Sequence, residues 1–331
     1  MANDSVKLRD VAALAGVSLA TASKALNGEK RVSEETRVRV VTAARQLGYS
    51  PTPRELQGTS GTVGLLTSDL EGRFSLPILM GAEDTFGAGQ VSVFLCNARG
   101  DAIRERHYIS AMLARRVDAI MVVGSRNDPR QRIAPDLPVP VVYVFMPSND
   151  PTDHSIAPNN VEGGRMAAEH LLAIGRRRIV HVTGPVTQRA VIDRRLGIEQ
   201  AMQAHGTTLS FQSDYGEWHE RWGRAVIAML IERGETFDAI VCDSDQIARG
   251  ALDAVKEAGL SVPTDVAIVG FDNWNLIVDG TRPMLTSIDM SLEAMGRLAA
   301  ERLFGALSGK PLSPGIDLQP CRLVVRNSTY R

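Results

Sequence analysis

The 331-residue chain holds only three cysteines, Cys96, Cys242 and Cys321, far apart and without a CxxC spacing. An odd count with no motif gives no disulfide framework, which fits a reducing compartment. No run of 18 apolar residues occurs, so no segment reads as a transmembrane helix. The opening MANDSVKLRD lacks the apolar core of an export signal. The expectation is a cytoplasmic chain with no membrane partner. The six histidines (107, 154, 170, 181, 205 and 219) show no HxxxH spacing. There is no GxSxG elbow or P-loop, and Gly87 and Gly89 do not extend into a GxGxxG. Neither a metal site, a cofactor nor a catalytic nucleophile is therefore expected, and the chain does not read as an enzyme.

The near-zero net charge conceals an asymmetry. Up to Gly58 nine basic side chains face six acidic ones, leaving +3 there and −4 on the rest. A basic head on an acidic body suits a polyanion-binding module joined to something larger. The head itself is informative. From Leu8 to Ala15, Val11, Leu14 and Ala15 recur at helical spacing, and Gly16 then supplies a left-handed stop. Val17 can plug the angle, and Ser18 can cap a second helix over 19–26 with Ala22, Ala25 and Leu26 inward. Helix, glycine turn and helix make a helix-turn-helix, whose second helix presents its first residues to base edges. A third helix opens at Ser33, with Val40, Ala44 and Leu47 inward, and ends at Gly48. In such a helix Leu19 and Ala20 suit a thymine methyl and Lys24 suits guanine. Thr21, Ser23 and Asn27 suit phosphate oxygens. A plain three-helix bundle with a solvated basic face satisfies the spacing as well.

The runs DVAALAGVSLATASKALNG and VSEETRVRVVTAARQLGYSP resemble the DNA-binding headpiece of the lactose-repressor (LacI/GalR) family of bacterial regulators. That resemblance implies a homodimer on double-stranded operator DNA. Leu19, Ala20 and Lys24 would read bases, and Thr21, Ser23 and Asn27 would hold phosphates. The Pro- and Gly-rich stretch 51–61 reads as a linker. In the family it forms a short hinge helix whose leucine wedges into the minor groove, a role only Leu56 can fill here. Pro53 and a segment about two residues shorter than the family's depart from that pattern.

Beyond residue 62, short apolar runs alternate with helix-period segments. The expected strands cover 63–66, 91–95, 119–123, 139–145, 179–183, 239–242, 267–271 and 285–288. The expected helices cover 76–88, 102–114, 162–174, 195–205, 219–232, 246–258 and 292–307. Such alternation implies parallel sheets covered on both faces, here too many strands for one sheet. The fold class is therefore α/β: a three-helix headpiece over residues 1–50, a linker, and a core over 62–331 of two parallel-sheet subdomains with a cleft between them. The expected subdomains are about 62–158 with 289–318, and about 159–288 with 319–331.

Open α/β sheets bind ligands at the carboxyl ends of their strands, which singles out polar and aromatic residues just beyond them. These are Asp69, Phe74, Asn159, Arg194, Trp218, Ser244 and Asp272. Carboxylate, amide and guanidinium groups with an indole face suit a polyhydroxylated ligand. Asp245 reads as the cap of the helix that follows it, and Trp222 as packing. The runs NNVEGGRMAAEHLLAIGRRRIVHVTGP, DSDQIARGALDAV and DVAIVGFDNW resemble the same family's effector-binding core, itself similar to periplasmic sugar-binding proteins. The resemblance carries the seven residues over as effector contacts. It implies a transcriptional regulator, most often a repressor, controlled by a small polar effector such as a sugar. Gly72-Arg73-Phe74-Ser75 stands where the family often has Asn-Pro-Phe-Phe, so half of an aromatic pair is missing. The rival reading is a solute-binding protein of the periplasmic type without a DNA role, which would not need residues 8–49.

Overall fold

A computed structural model describes residues 8–26, 33–47, 61–69, 71–87, 91–213 and 215–330. The chain divides into two compact units, Met1–Gly58 and Thr59–Arg331.

The first unit contains α1 (Leu8–Ala15), α2 (Leu19–Leu26) and α3 (Glu34–Leu47). Gly16 ends α1 at φ +64, a conformation that costs glycine little. Ser18 and Ser33 open the next two helices alike. Each hydroxyl accepts the backbone N–H three residues on, from Thr21 (3.1 Å) and Thr36 (3.4 Å), and each pairs with that threonine's hydroxyl. Among the described residues the core holds Val11, Ala12, Ala15, Ala22, Ala25, Val40, Ala43 and Ala44, with Val17 packed against it; the side chains of Leu26 and Leu47, also expected inward, lie outside what the structure describes. Leu14, expected inward, is 52% exposed, and Ala12 takes its place. The buried face of α1 runs through Val11, Ala12 and Ala15, at i, i+1 and i+4, which leaves Leu14 on its flank.

The second unit holds two six-stranded sheets. The first comprises β1 (Thr62–Thr67), β2 (Ser92–Asn97), β3 (Ala119–Val123), β4 (Val141–Val144), β5 (His154–Pro158) and β11 (Gly315–Gln319). Its order is β11-β5-β4-β3-β1-β2, parallel throughout. The second comprises β6 (Ile179–Val182), β7 (Phe211–Gln212), β8 (Ala239–Cys242), β9 (Ala267–Phe271), β10 (Thr286–Asp289) and β12 (Arg322–Val324). Its order is β12-β10-β9-β8-β6-β7, parallel except where β12 joins β10. The chain passes between the sheets three times, after Pro158, after Asp289 and after Gln319.

The central strands β3, β6, β8 and β9 are buried along their whole length, which is why they read as apolar runs. The run expected over 139–145 shortens to β4 because Phe145 turns to φ +71 and leaves the sheet. Sequence periodicity missed β5, β7, β11 and β12. Three of these are edge strands, and Ile316 and Leu318 on β11 are exposed. β5 reads HSIAP, with too few apolar residues to form a run.

Helices cover both sheets: α4 (Ser75–Phe86), α5 (Ala102–Ala114), α6 (Asn160–Ala173), α7 (Arg189–Ala204), α8 (Glu220–Glu232), α9 (Asp245–Glu257), the short α10 (Asn275–Val278) and α11 (Leu292–Leu307). Three pairs cross with backbones nearly touching: α4 on α11, α6 on α7, and α8 on α9. Each crossing uses a glycine from both partners. An added Cβ would lie 1.9 Å from Glu293 O at Gly81 and 1.9 Å from Ile78 O at Gly296. It would lie 2.1 Å from Arg194 O at Gly164 and 1.8 Å from Val161 O at Gly197. At Gly223 and Gly250 it would meet Ile247 O at 2.1 Å and Glu220 O at 1.8 Å. Only glycine permits such approach, so these residues fix how the helices stand over the sheets.

Among the described residues no helix is long and apolar enough to cross a membrane, and no group of three or more His, Cys, Asp or Glu could hold a metal ion. All three cysteines are buried and free.

Candidate functional site

Within the second unit a cavity of about 410 Å³ lies between the carboxyl ends of the two sheets. The first sheet contributes Arg73 and Phe74 after β1, Asn127 after β3 and Phe145 after β4. The second contributes Gln188 and Arg194 beyond β6, Trp218 before α8, Gln246 at the start of α9, and Asp272 after β9. In each sheet neighbouring strands connect in opposite directions about β1 and β6, the switch points at which open α/β sheets form ligand crevices.

Four of the seven residues expected at a site, Phe74, Arg194, Trp218 and Asp272, line this cavity. Phe74 stacks on Phe145 at 4.3 Å between ring centres, so the second aromatic missing from the first loop arrives from the end of β4. The Trp218 ring lies over Gly184, where a Cβ would sit 2.4 Å from it, and its indole N–H donates to Gln188 Oε1 at 3.0 Å.

Arg194 is 3% exposed, and burial pulls its guanidinium down from the ordinary arginine range while Asp272 opposes the shift. Its Nε donates to Asn160 Oδ1 at 2.9 Å, and Nη1 donates to the Asp243 carbonyl. Its face lies 3.6 Å from the Phe271 ring centre. Asn160 reaches Asn127 at 3.3 Å, and Asn127 donates to Phe145 O at 2.7 Å, so a polar chain joins Arg194 to the opposite sheet.

Asp272 sits at φ +103 and Asn273 at φ +51, both unusual for residues with a side chain. With Phe145 they put three backbone outliers at one cleft, a pattern associated with ligand sites. Burial pushes the Asp272 carboxyl up, and Arg73 and Arg194 pull it back. Beside it Asp245, fully buried, is pushed up to about 8 by burial and by the Asp272 charge. Asp245, expected as the helix cap, does not cap α9. Its carboxylate accepts the Trp274 backbone N–H (2.7 Å) and the Ser287 hydroxyl (2.6 Å), tying β9 to β10, while Ser244 caps α9.

Asp69, Asn159 and Ser244 do not line the cavity. Asp69 accepts the N–H groups of Phe74 (2.7 Å) and Ser75 (2.8 Å) and the Ser75 hydroxyl (3.1 Å), folding the loop that carries Arg73 and Phe74. Asn159 accepts from Glu162 N–H at 3.2 Å and Ser244 from Ile247 N–H at 3.2 Å, capping α6 and α9. A cap and a ligand contact call for the same short polar residue before a helix, and here the helix takes it. It is the neighbour of Asn159, Asn160, that touches Arg194. Trp222 packs on the second sheet and donates to Thr183 O at 3.0 Å.

Of the lining residues missed from sequence, which include Arg126, Asn127, Phe145, Gln188 and Gln246, Arg73 makes contacts to both sheets. It forms a salt bridge with Asp272, donates to Gln246 Oε1 at 3.0 Å, and lies over the rings of Trp274 (4.6 Å) and Phe74 (5.1 Å). The Arg73–Asp272 pair links the two sheets. A larger cavity of about 560 Å³ opens on its other side, but apart from Phe74 its lining has one aromatic ring, Trp274, and it lacks Arg194.

In the first unit α2 carries Leu19, Ala20, Thr21, Ser23 and Lys24. Leu19 is 54% exposed, and Thr21 is held by Ser18. Asn27, Leu56 and the linker lie outside the described residues.

Residues 7–52 match the family model described as bacterial regulatory proteins, lacI family, and residues 168–329 match a periplasmic binding protein-like domain. The ribose operon repressor of Halalkalibacterium halodurans is 31% identical over 97% of this chain and 96% of its own. This chain belongs to the LacI family of bacterial regulatory proteins. It is a DNA-binding transcriptional regulator. A LacI-family chain needs its helix-turn-helix, so the reading as a solute-binding protein without a DNA role falls. Two solved structures share the fold over 98% of the chain and 99% of theirs. They are the regulator CelR in complex with cellobiose (28% identical, TM-score 0.68) and the lac repressor dimer bound to operator and the anti-inducer ONPF (26%, TM-score 0.68).

Proposed function

We propose that this LacI-family protein is a repressor that binds its operator as a homodimer, with one helix-turn-helix per half-site, and that a small polyhydroxylated effector in the core cleft sets its operator affinity. The observation that carries the effector reading is the convergence of Asp272, Arg194, Trp218 and Phe74, from both sheets, on one cavity. Carboxylate and guanidinium take hydroxyl hydrogen bonds, and the aromatic faces cover the apolar face of a sugar ring. The effector is bound and released without chemical change, and the protein acts in the cytoplasm, where its DNA lies. Since the cleft is lined from both sheets, a ligand that prefers one spacing of the sheets shifts the population between two states.

On α2, Leu19, Ala20 and Lys24 read bases while Thr21 and Ser23 hold phosphates, joined by Asn27; Leu56 is the minor-groove wedge. Footprinting on the upstream region with and without candidate sugars tests the proposal. Site-selective protection that a sugar changes is the expected result; none at low salt, with or without sugar, removes it. Lys24→Ala should relax preference at one base pair per half-site, by about 1–3 kcal/mol. Equal loss on operator and random DNA, with a shallower salt slope, would instead make Lys24 a phosphate contact.

A further inference from the structure

Resting on the reading of the cleft as the effector site, we infer that its effector is anionic, a polyhydroxylated molecule bearing a carboxylate or a phosphate, and that Arg73 and Arg126 recognise the charge. Asp272 sets the constraint. The carboxylate suited to ligand hydroxyls is already engaged by Arg73, and Arg194 Nη2 stands 3.9 Å from its other oxygen. A ligand that takes Asp272 must displace Arg73.

Arg73 has little freedom to leave. Its side chain is 13% exposed, its guanidinium lies over two aromatic rings, and Gln246 holds Nη1. Its Nε is buried without a hydrogen-bond partner. A neutral polyol on Asp272 would leave that guanidinium buried and uncompensated, which is costly. An anionic group supplies the missing counter-charge, so ligand and protein exchange ion pairs and no buried charge is left alone.

Two further features favour an anion. Arg126 lines the same cavity, exposed, with no hydrogen bond or ion pair among the described residues. With Arg73 and Arg194 it makes three guanidinium groups against two lining carboxylates, Glu71 and Asp272. In addition, unlike α7, where Asp128 Oδ1 accepts the first backbone N–H (Arg189) at 2.8 Å, α8 has an N-cap residue, His219, that lines the cavity and whose side chain does not cap the helix. α5, α6 and α9, by contrast, are capped by Asp101, Asn159 and Ser244. The uncapped start of α8 bordering the cavity adds positive potential to that of the arginines.

The test is calorimetric titration of the full-length protein, at fixed ionic strength, with matched sets: glucose, glucuronate and glucose 6-phosphate, and galactose with galacturonate and galactose 6-phosphate. At least one acid or phosphate should bind about tenfold or more tightly than its neutral parent, and the two arms tell carboxylate from phosphate. Arg126→Gln, an exposed substitution whose folding is checked by melting temperature, should shrink that ratio severalfold, and Arg73→Gln should shrink it further. Neutral parents binding as tightly as every acid and phosphate, or a ratio that Arg126→Gln leaves unchanged, overturns the inference. Operator binding is measured on the same samples. An acid that binds tightly but leaves operator affinity alone sinks the regulatory reading and spares the charge preference. A neutral sugar that binds and changes operator affinity, while its acid does neither, sinks the charge preference alone.

Discussion

At the residue scale, Asp245 carries an unusual charge state for a reason the geometry supplies. It is fully buried, its neighbour Asp272 is also a carboxylate, and both cannot ionise cheaply in one dry space. In the unfolded chain Asp245 titrates in the ordinary carboxylate range, near ~4. In the folded chain it keeps its proton up to about 8. Between those values the folded state binds more protons than the unfolded one, so this group's contribution to stability is fully present below the unfolded value and is lost as pH rises through the folded one. The slope cannot exceed about 1.4 kcal/mol per pH unit for one proton. Asp245→Asn cannot titrate, so its melting temperature relative to the parent should rise steadily between about pH 5 and pH 8. A difference that is flat across this range would show that Asp245 is already ionised in the folded protein.

At the scale of elements, the glycine crossings hold the site residues in place. The α6–α7 crossing sets Gly164 against the Arg194 carbonyl, so the backbone that delivers Arg194 to the cleft is fixed by a contact with no room for a methyl group. Gly197→Ala would put a Cβ 1.8 Å from Val161 O, and because the obstacle is backbone, the helices must part. Denaturant unfolding should show a loss of about 1–3 kcal/mol or more, with effector affinity falling as Arg194 shifts. Gly280→Ala, whose Cβ would meet nothing closer than 3.4 Å, should leave both near their parent values and serves as the control.

The same scale shows what sequence reveals. Most strands buried on both faces are apolar runs and were legible, as were helices whose apolar stripes face a sheet; β5, buried throughout but reading HSIAP, was not. The edge strands β7, β11 and β12 were not, because a partly exposed edge needs no apolar run. The carboxyl-end rule selected Arg194, Trp218 and Asp272, but it selected Asp69, Asn159 and Ser244 by the same logic, and those residues cap helices or fold the loop instead. Arg73 gave no signal: its partner Asp272 lies 199 residues away, and a lone arginine in a loop normally points to solvent.

At the scale of the whole molecule, the two units differ sharply in what holds them together. Among the described residues the headpiece core holds six alanines and two valines, whereas the second unit buries large clusters that include Phe271, Leu65 and Ile156. The unit Met1–Gly58 is far smaller than Thr59–Arg331 and buries a smaller fraction of its surface, so the headpiece sits nearer the margin of stability than the core unit. Calorimetry of the full chain should therefore show two transitions, the headpiece melting first. Operator DNA should raise the first, and an effector alone only the second, by about 2.7 kcal/mol at a hundredfold excess over Kd. If the core dimerises, the second should also climb with protein concentration. With both ligands present the shifts should no longer add, because the coupling between sites is reciprocal: a sum smaller than its parts identifies an inducer, and a larger one a co-repressor. A single transition that either ligand moves alone would mean that headpiece and core unfold as one body, and the effector would then act through that shared stability instead of through a separable switch.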